Sequence, residues 1–324
     1  MIFSSIPAHH TPVGSALHYE LTNIIAPSVD LRIYTSDNRL LGTKRIIGQS
    51  HCSIDIAPYL RNQASFAPPP PETPTGLLAL DDRVMQILVE ADDGDETLRS
   101  DLRTFLVAET IPTVPSLLTA LPPQRLLAPS ECDLLTLLPT EPMTVEVIEH
   151  HAIGTTTHYA YTTPSTSPCG LWLRADDFPE AERLTVVLGG SGQIEYTLLP
   201  QPEGAVRLAW RSRTGALEHY TFPHRKRRRV TVKKQRAEGV EGIHIRSTNI
   251  EERLLLESAY ETEPTIQALA ELLYAEQVWC CTPDGYRRVD VVTEQSDIGH
   301  YGVLSTLSIE IRNPQTTTHH GTNH

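Results

Sequence analysis

Residues 208–222 read LAWRSRTGALEHYTF, two short runs of strand-forming residues on either side of a turn. The first run ends at Trp210, the second contains Tyr220 and Phe222, and Gly215 supplies the conformational freedom that a tight turn requires. Aromatic residues are enriched in strands. The pattern therefore predicts a β-hairpin, and related short patterns extend from it in both directions along the chain.

The sequence after this hairpin predicts further strands and one helix. Val230 begins an alternation of apolar and basic residues, and Ile309 lies in an alternation of apolar and polar residues. Between them, Thr262 and Pro264 are typical of the start of a helix, and residues 265–277 carry apolar side chains at the spacing of one helix face. We predict a β domain over residues 205–314 with one packed α-helix, followed by a disordered tail over residues 315–324.

Period-two patterns also fill the first two thirds of the chain, and proline-rich segments interrupt them. We predict a β-sandwich over residues 1–110 and a second β-sandwich module over residues 140–204. A segment rich in proline and leucine, residues 111–139, is interpreted as a linker, and residues 65–76 are interpreted as a long loop. The predicted fold class is mainly β and multidomain, with two β-sandwich modules followed by a β domain.

The composition excludes several classes of protein. The 324 residues include 27 basic and 40 acidic side chains, and the formal net charge is −13. No apolar run approaches the roughly 20 residues of a membrane-spanning helix, and the N-terminus lacks the pattern of a secretion signal. The five cysteines form no C-x-x-C pair, which indicates a reducing, cytosolic setting rather than a disulfide scaffold.

None of the candidate catalytic motifs has the spacing that its chemistry requires. Ser191 lies among glycines but outside a G-x-S-x-G sequence. The acidic clusters at residues 92–96 and 176–182 fit solvated turns better than a glycosidase pair or a calcium loop. His150 and His151 would point to opposite faces of a strand. We therefore predict no catalytic residue, no cofactor and no metal site, and hence a protein that is not an enzyme.

The most unusual local feature is a positively charged run over residues 225–236, with eight basic and no acidic side chains. The remainder of the chain holds 19 basic and 40 acidic residues, a net charge of −21. Three interpretations are open: a contact with an acidic surface of another copy, a solvated face, and nucleic-acid binding, which the absence of interleaved aromatic residues disfavours. We predict an interface that contains Arg225, Arg227, Arg229, Lys233, Lys234, Trp210, Tyr220 and Phe222.

The hairpin at residues 208–222 is similar to the L-x-W-x-N-x-x-G-G-x-x-x-Y-x-F pattern of tail-tip proteins of tailed bacteriophages, the distal-tail and baseplate-hub-like proteins. Ala216 replaces the second glycine of that pattern. The order of strands, helix and closing strands over residues 205–314 also resembles the tail-tube fold, in which small β domains join edge to edge in rings. The resemblance covers about a third of the chain.

This resemblance implies a non-enzymatic structural component of a phage or prophage tail tip, made in the bacterial host cytoplasm and assembled in the virion as a homo-oligomeric ring. Its partners would be further copies and other tail proteins, with no membrane and no specific nucleic acid. Two alternatives are a carbohydrate-binding or adhesive β-sandwich protein and a carbohydrate-active or esterase enzyme. The aromatic content of 6% disfavours the first, because sugar sites commonly use exposed aromatic rings.

Overall fold

A computed structural model describes residues 1–61, 63, 66–111, 117–154, 156–164, 167–190, 192–239, 242–296, 298–312 and 317–320. The chain is mainly β, with two β-sandwiches and a third module in which a helix packs on a large sheet. The predicted fold class is thus confirmed. The described helices are all too short or too polar to cross a membrane.

The first module is a sandwich of two antiparallel sheets with a single apolar core. One sheet has the order β1-β2-β5, and the other has the order β4-β3-β7-β8 with β9 also paired to β7. Tyr19 and Ile54 of the first sheet pack against Leu31 and Val89 of the second. The helix α1 (Ala57–Arg61) follows β5. The strands are β1 (Ile2–Ser5), β2 (His18–Thr22), β3 (Ser28–Thr35), β4 (Leu40–Ile47), β5 (His51–Asp55), β7 (Val84–Asp92), β8 (Thr97–Arg99) and β9 (Arg103–Leu106).

The second sandwich includes strands from two parts of the chain that the sequence analysis placed outside it, residues 1–110 and residues 111–139. Its larger sheet has the order β10-β16-β15-β12-β13, and its smaller sheet has the order β11-β14-β6. The strands are β6 (Gly76–Ala79), β10 (Gln124–Leu127), β11 (Cys132–Leu137), β12 (Thr144–His151), β13 (Thr156–Thr162), β14 (Cys169–Arg174), β15 (Ala181–Leu188) and β16 (Gln193–Leu198).

Two predictions about this region are therefore wrong. Residues 111–139 are more than a linker, because β10 and β11 lie in this segment and Leu127 and Leu135 belong to the sandwich core. The first sandwich does not extend over all of residues 1–110, because β6 pairs with β14 of the second sandwich. Residues 66–75 contain no strand or helix, and this predicted proline-rich loop connects the two modules. The physical reason is that all six residues of β11 are buried, since both faces of the strand are covered. A strand buried on both faces shows no apolar–polar alternation.

The third module is a nine-stranded sheet with a helix on one face. The sheet has the order β18-β17-β21-β22-β24-β20-β19, and β23 and β25 pair with β24 and β20 respectively. The elements are β17 (Val206–Arg211), β18 (Leu217–Phe222), β19 (His224–Gly239), β20 (Gly242–Glu257), α2 (Glu263–Ala270), β21 (Val278–Thr282), β22 (Gly285–Val291), β23 (Ile298–Tyr301), β24 (Leu304–Arg312) and β25 (Thr317–His320).

The helix begins where the sequence predicts and ends earlier. Thr262 is the N-cap residue and Pro264 lies in the first turn, where its missing N–H costs no helical hydrogen bond. The α-helix ends at Ala270 and a short 3-10 turn continues to Leu273, so the predicted extent to residue 277 is wrong. The chain must leave the helix there because Gln277 accepts a backbone hydrogen bond from Arg211 on the way into β21.

The C-terminal tail is also partly structured. The backbone of β25 pairs antiparallel with residues 247–250 of β20, so the predicted disorder is wrong for residues 317–320. The remaining residues of the predicted tail, 315, 316 and 321–324, lie outside the described part of the chain, as does Ser191.

The hairpin of β17 and β18 joins the three modules. Its one face holds Leu208 and Trp210 in the core beneath α2. Its other face places Ala209 and Leu217 against the smaller sheet of the second sandwich. The turn contacts the first module, and a Cβ atom built on Gly215 would lie 2.6 Å from the carbonyl oxygen of Val107.

We expect Gly215→Ala to destabilise the protein by about 1–3 kcal/mol more than Gly94→Ala, as measured by urea unfolding followed by tryptophan fluorescence. Both glycines have positive φ, +79° and +93°, so both substitutions introduce backbone strain. At Gly94 no atom lies within 4 Å of the added carbon, whereas at Gly215 the Val107 carbonyl must move. Equal losses for the two variants would contradict a close contact between the modules.

Candidate functional site

The positively charged run lies on a long two-stranded ribbon. The strands β19 and β20 each have 16 residues and pair from His224–Glu257 to Gly239–Gly242. At about 3.3 Å per residue, such a ribbon is about 50 Å long. The strand β24 pairs with only the last five residues of β20, and β25 pairs with residues 247–250. Among the described residues, the outer part of the ribbon is therefore a two-stranded projection.

One face of the ribbon carries an apolar stripe, defined here as Val230, Val232, Ile243, Ile245 and Ile250. Val232 is paired with Ile250, and opposite residues of an antiparallel pair share a face. Four of these side chains are unusually exposed: Val230 by 51%, Val232 by 48%, Ile243 by 71% and Ile245 by 46%. The stripe extends the same face that buries Leu256 beneath the helix, but no described element covers it.

Part of the positive charge on the ribbon is neutralised within the chain. Lys226 pairs with Glu257 at 3.0 Å, Arg228 pairs with Glu252 at 2.8 Å, and Arg229 approaches Glu310 at 3.9 Å. The other predicted basic contacts are exposed and have no ion pair within 4 Å among the described residues. These are Arg225, Arg227, Lys233 and Lys234.

The predicted interface is wrong at Trp210 and Phe222. Trp210 and Phe222 are fully buried in the core of the third module, so neither reaches a surface. Tyr220 is half-buried, and its hydroxyl donates a hydrogen bond to Glu261 at 2.7 Å. Leu208 and Trp210 are two positions apart in a strand and therefore lie on the same face, which is the core face. This spacing could have shown in the sequence that Trp210 is buried.

A buried polar network joins the second sandwich to the third module, centred on Asp133 of β11. The carboxylate of Asp133 accepts hydrogen bonds from Arg125 at 3.0 Å, from the Tyr196 hydroxyl at 2.8 Å and from His219 Nδ1 at 2.9 Å. His219 comes from β18, and the other residues belong to the second sandwich. Asp133 is 2% exposed, so its charge is compensated almost entirely by these groups.

The network continues through His219 to the opposite side of the junction. Since Nδ1 of His219 donates to Asp133, Nε2 accepts the hydroxyl proton of Tyr286 at 2.7 Å. The thiol of Cys132 lies 3.5 Å from the same hydroxyl. The resulting order, Asp133–His219–Tyr286–Cys132, matches the order of groups in a nucleophile relay.

The electrostatics of this chain of groups favour a structural role. Burial raises the pKa of the Cys132 thiol and of the Tyr286 hydroxyl, whereas an activated nucleophile needs a lowered pKa. Burial also lowers the pKa of His219, which keeps the imidazole neutral. Although burial opposes ionisation of Asp133, the hydrogen bond from His219 and the charge of Arg125 hold the pKa of that carboxyl well below its usual range.

Two further buried contacts cross the same junction. Arg207 of β17 donates to Glu131 at 3.2 Å and to the carbonyl oxygen of Cys132 at 2.7 Å. Glu218 of β18 accepts hydrogen bonds from Thr119 and from the backbone N–H of residue 120, both at about 2.7 Å. The sequence analysis missed these residues, since their partners are up to about a hundred positions away.

A cleft of about 500 Å³ opens beside this network, between the second sandwich and the third module. Arg125, Asp133, Arg207 and His219 lie at its inner end. Its outer part is lined mainly by apolar and uncharged polar side chains. These are Leu121, Pro122, Gln124, Leu126, Thr197, Leu199, Pro200, Gln201, Pro202, Tyr220, Thr221, Pro223, Ala259, Tyr260 and Thr265, together with Glu261.

The acidic clusters and the histidine pair noted in the sequence do not converge on a site. Asp93 accepts hydrogen bonds from the backbone N–H groups of Asp95 and Glu96 and thereby shapes a hairpin turn. Asp177 accepts a backbone hydrogen bond from Thr75. Within the described part of the chain, no group of three or more histidine, cysteine, aspartate or glutamate residues is arranged to hold a metal ion.

The sequence matches no known protein-family model and no curated protein. Among solved structures, a tetra-tandem repeat from the extending region of a large adhesion protein is similar with a TM-score of 0.25 and 10% identity, over 78% of this chain and 69% of that chain. The I9–I11 tandem of titin is similar with a TM-score of 0.17 and 6% identity, over 94% of this chain and 90% of that chain. At these TM-scores, neither match assigns a family or a function.

We expect the buried His219 to make the stability of the protein depend on pH. The folded state holds the imidazole neutral, while the unfolded chain protonates it below a pKa of about 6.5, so the unfolded state binds the additional proton. Stability is therefore lost as the pH falls below about 6.5, by up to about 1.4 kcal/mol per pH unit from this group.

The measurement is the free energy of unfolding between pH 7.5 and 5.5 for the wild type and for His219→Gln. The glutamine retains a donor and an acceptor but does not titrate. Burial raises the pKa values of Glu218 and Glu261, so these two groups make the protein more stable as the pH falls, opposite to His219. Their contributions are common to both proteins and cancel in the comparison. Parallel pH profiles for the two proteins would show that His219 is not held neutral.

Proposed function

We propose that this chain is a non-enzymatic structural protein that assembles with copies of itself through the β19–β20 ribbon. The observation that supports this is the exposed apolar stripe, Val230, Val232, Ile243, Ile245 and Ile250, alongside cations without partners in the described chain. Exposed apolar surface flanked by charge is typical of protein contact sites. The residues outside the run 225–236 carry a net charge of −21, so a second copy offers complementary charge.

A ribbon that docks on a different surface of the next copy makes a heterologous contact. Such contacts repeat from copy to copy and produce a closed ring or an open filament. This geometry suits the ring assembly that the hairpin resemblance implies. Positive charge at the contact would increase the rate of association and make the assembly sensitive to salt.

We further propose that the assembly is part of the tail tip of a bacteriophage or prophage, with other tail proteins as neighbours in the virion. This proposal depends on the sequence pattern of residues 208–222 and on the order of strands, helix and closing strands after it. The burial of Trp210 and Phe222 gives that pattern a role in the core of the module rather than in the contact.

Reversing the charge of three unpaired ribbon residues, Arg227→Glu, Lys233→Glu and Lys234→Glu together, should weaken self-association by at least about tenfold. The monomer should remain folded because these side chains make no ion pair in the described chain. The measurement is the mass distribution by sedimentation velocity at several protein and salt concentrations, with electron microscopy of any assembly. Wild-type assemblies should loosen as salt increases.

The matched control is Arg39→Glu, Arg183→Glu and Arg287→Glu, which changes the net charge equally at exposed positions outside the ribbon. An effect of the same size in this control would assign the loss to net charge rather than to the ribbon. A wild-type protein that remains monomeric at every concentration would contradict self-assembly by the isolated chain.

A further inference from the structure

The cleft between the second sandwich and the third module has the construction of a ligand site. Its volume of about 500 Å³ lies within the range of about 300–1,000 Å³ that small-molecule sites occupy. Four prolines, Pro122, Pro200, Pro202 and Pro223, line its walls. Because proline fixes the backbone φ angle, these walls are largely preformed, and little conformational entropy is lost when a ligand binds.

The inner end of the cleft is electrically balanced. The Arg125 guanidinium pairs with Asp133 at 3.0 Å, and the Arg207 guanidinium pairs with Glu131 at 3.2 Å. The imidazole between the modules is held neutral by burial, as described above. A charged group of a ligand would find no unpaired opposite charge there, so the inner end favours an uncharged part of a ligand.

An aromatic ring stands at the mouth of the cleft. Tyr260 is 59% exposed, and its ring meets that of Tyr301 edge to face, with centroids 5.0 Å apart and planes at 88°. This contact fixes the orientation of the Tyr260 ring and leaves it open to solvent. Such a ring is a platform for the C–H face of a sugar.

Hydrogen-bonding residues line the same cleft as this ring. The Tyr220 hydroxyl donates to Oε1 of Glu261, which fixes the carboxyl group, and no hydrogen bond to Oε2 is made within the described residues. The amide side chains of Gln124 and Gln201 also line the cleft. Carboxyl and amide groups together can accept from and donate to the paired hydroxyl groups of one sugar ring.

From these features we infer that the cleft binds a neutral oligosaccharide, with one sugar ring stacked on Tyr260 and with hydroxyl groups along the bound chain of sugars bonded to Glu261, Gln124 and Gln201. The charge-balanced inner end, the Glu261 carboxylate and the combination of an aromatic platform with planar polar side chains distinguish this ligand class from anions. The site is separate from the ribbon and does not depend on the proposed assembly, so either proposal can fail without the other.

The test uses maltotriose, cellotriose and triacetylchitotriose as neutral probes and sialyllactose as an anionic probe. Binding to the full chain is measured by saturation-transfer difference NMR and isothermal titration calorimetry. We expect at least one neutral trisaccharide to bind, and Tyr260→Ala to weaken that binding by about tenfold or more. Glu261→Gln should weaken it as well, because it changes the charge and the donor pattern of that side chain.

The matched control is Tyr274→Ala, because Tyr274 is 57% exposed in the same module but lies outside the cleft. This variant should bind the probes as the wild type does, and circular dichroism should show all three variants folded. The inference is overturned if no neutral probe binds at up to about 10 mM, if sialyllactose binds more tightly, or if Tyr274→Ala causes the same loss. Binding of ANS, an anionic dye that reports exposed apolar surface, without any trisaccharide binding and in a manner that depends on Tyr260, would overturn the inference and identify an apolar docking groove.

Discussion

The carboxylate of Asp133 determines how the second and third modules meet. A buried carboxylate costs several kcal/mol unless donors compensate it, and this one accepts from Arg125, Tyr196 and His219. Two of these donors come from its own sandwich, and the third comes from the hairpin of the next module. Undocking the modules would expose one side of the network and leave its groups without partners. The polar contacts therefore favour a single docked arrangement, whereas apolar packing alone tolerates several.

This constraint also explains the position of the cleft. The modules are held at one end by the network around His219, and their surfaces diverge beyond it. The apolar cluster behind the network, with Leu134, Trp172 and Trp279, excludes water and strengthens the buried hydrogen bonds. A preformed cleft follows from this rigid junction, since its two walls belong to different modules. The ligand site that we infer therefore requires both modules.

The sequence was sufficient for elements that obey a local rule. The hairpin at residues 208–222, the alternation near Ile309 and the proline-marked start of the helix were all predicted correctly. The strand β11 was missed because another module covers its second face, which removes the alternation. The Asp133–His219 contact joins residues 86 positions apart, and its only local signal was an acid inside an apolar run. Long-range polar pairs of this kind leave no periodic trace in one sequence.

The cations of β19 have two physical roles, protection of a sheet edge and contact with a partner. This strand forms the edge of the nine-stranded sheet, and edge strands commonly carry lysine and arginine, which oppose pairing with another chain. Edge protection accounts for the charge but leaves the exposed valine and isoleucine side chains of the stripe unexplained. A partner that added a strand to this edge would have to desolvate the cations. A partner that packed on the face would cover the stripe, and its acidic groups would pair with Lys234 and Arg236, which lie on that face, so contact through the face is the favoured mode.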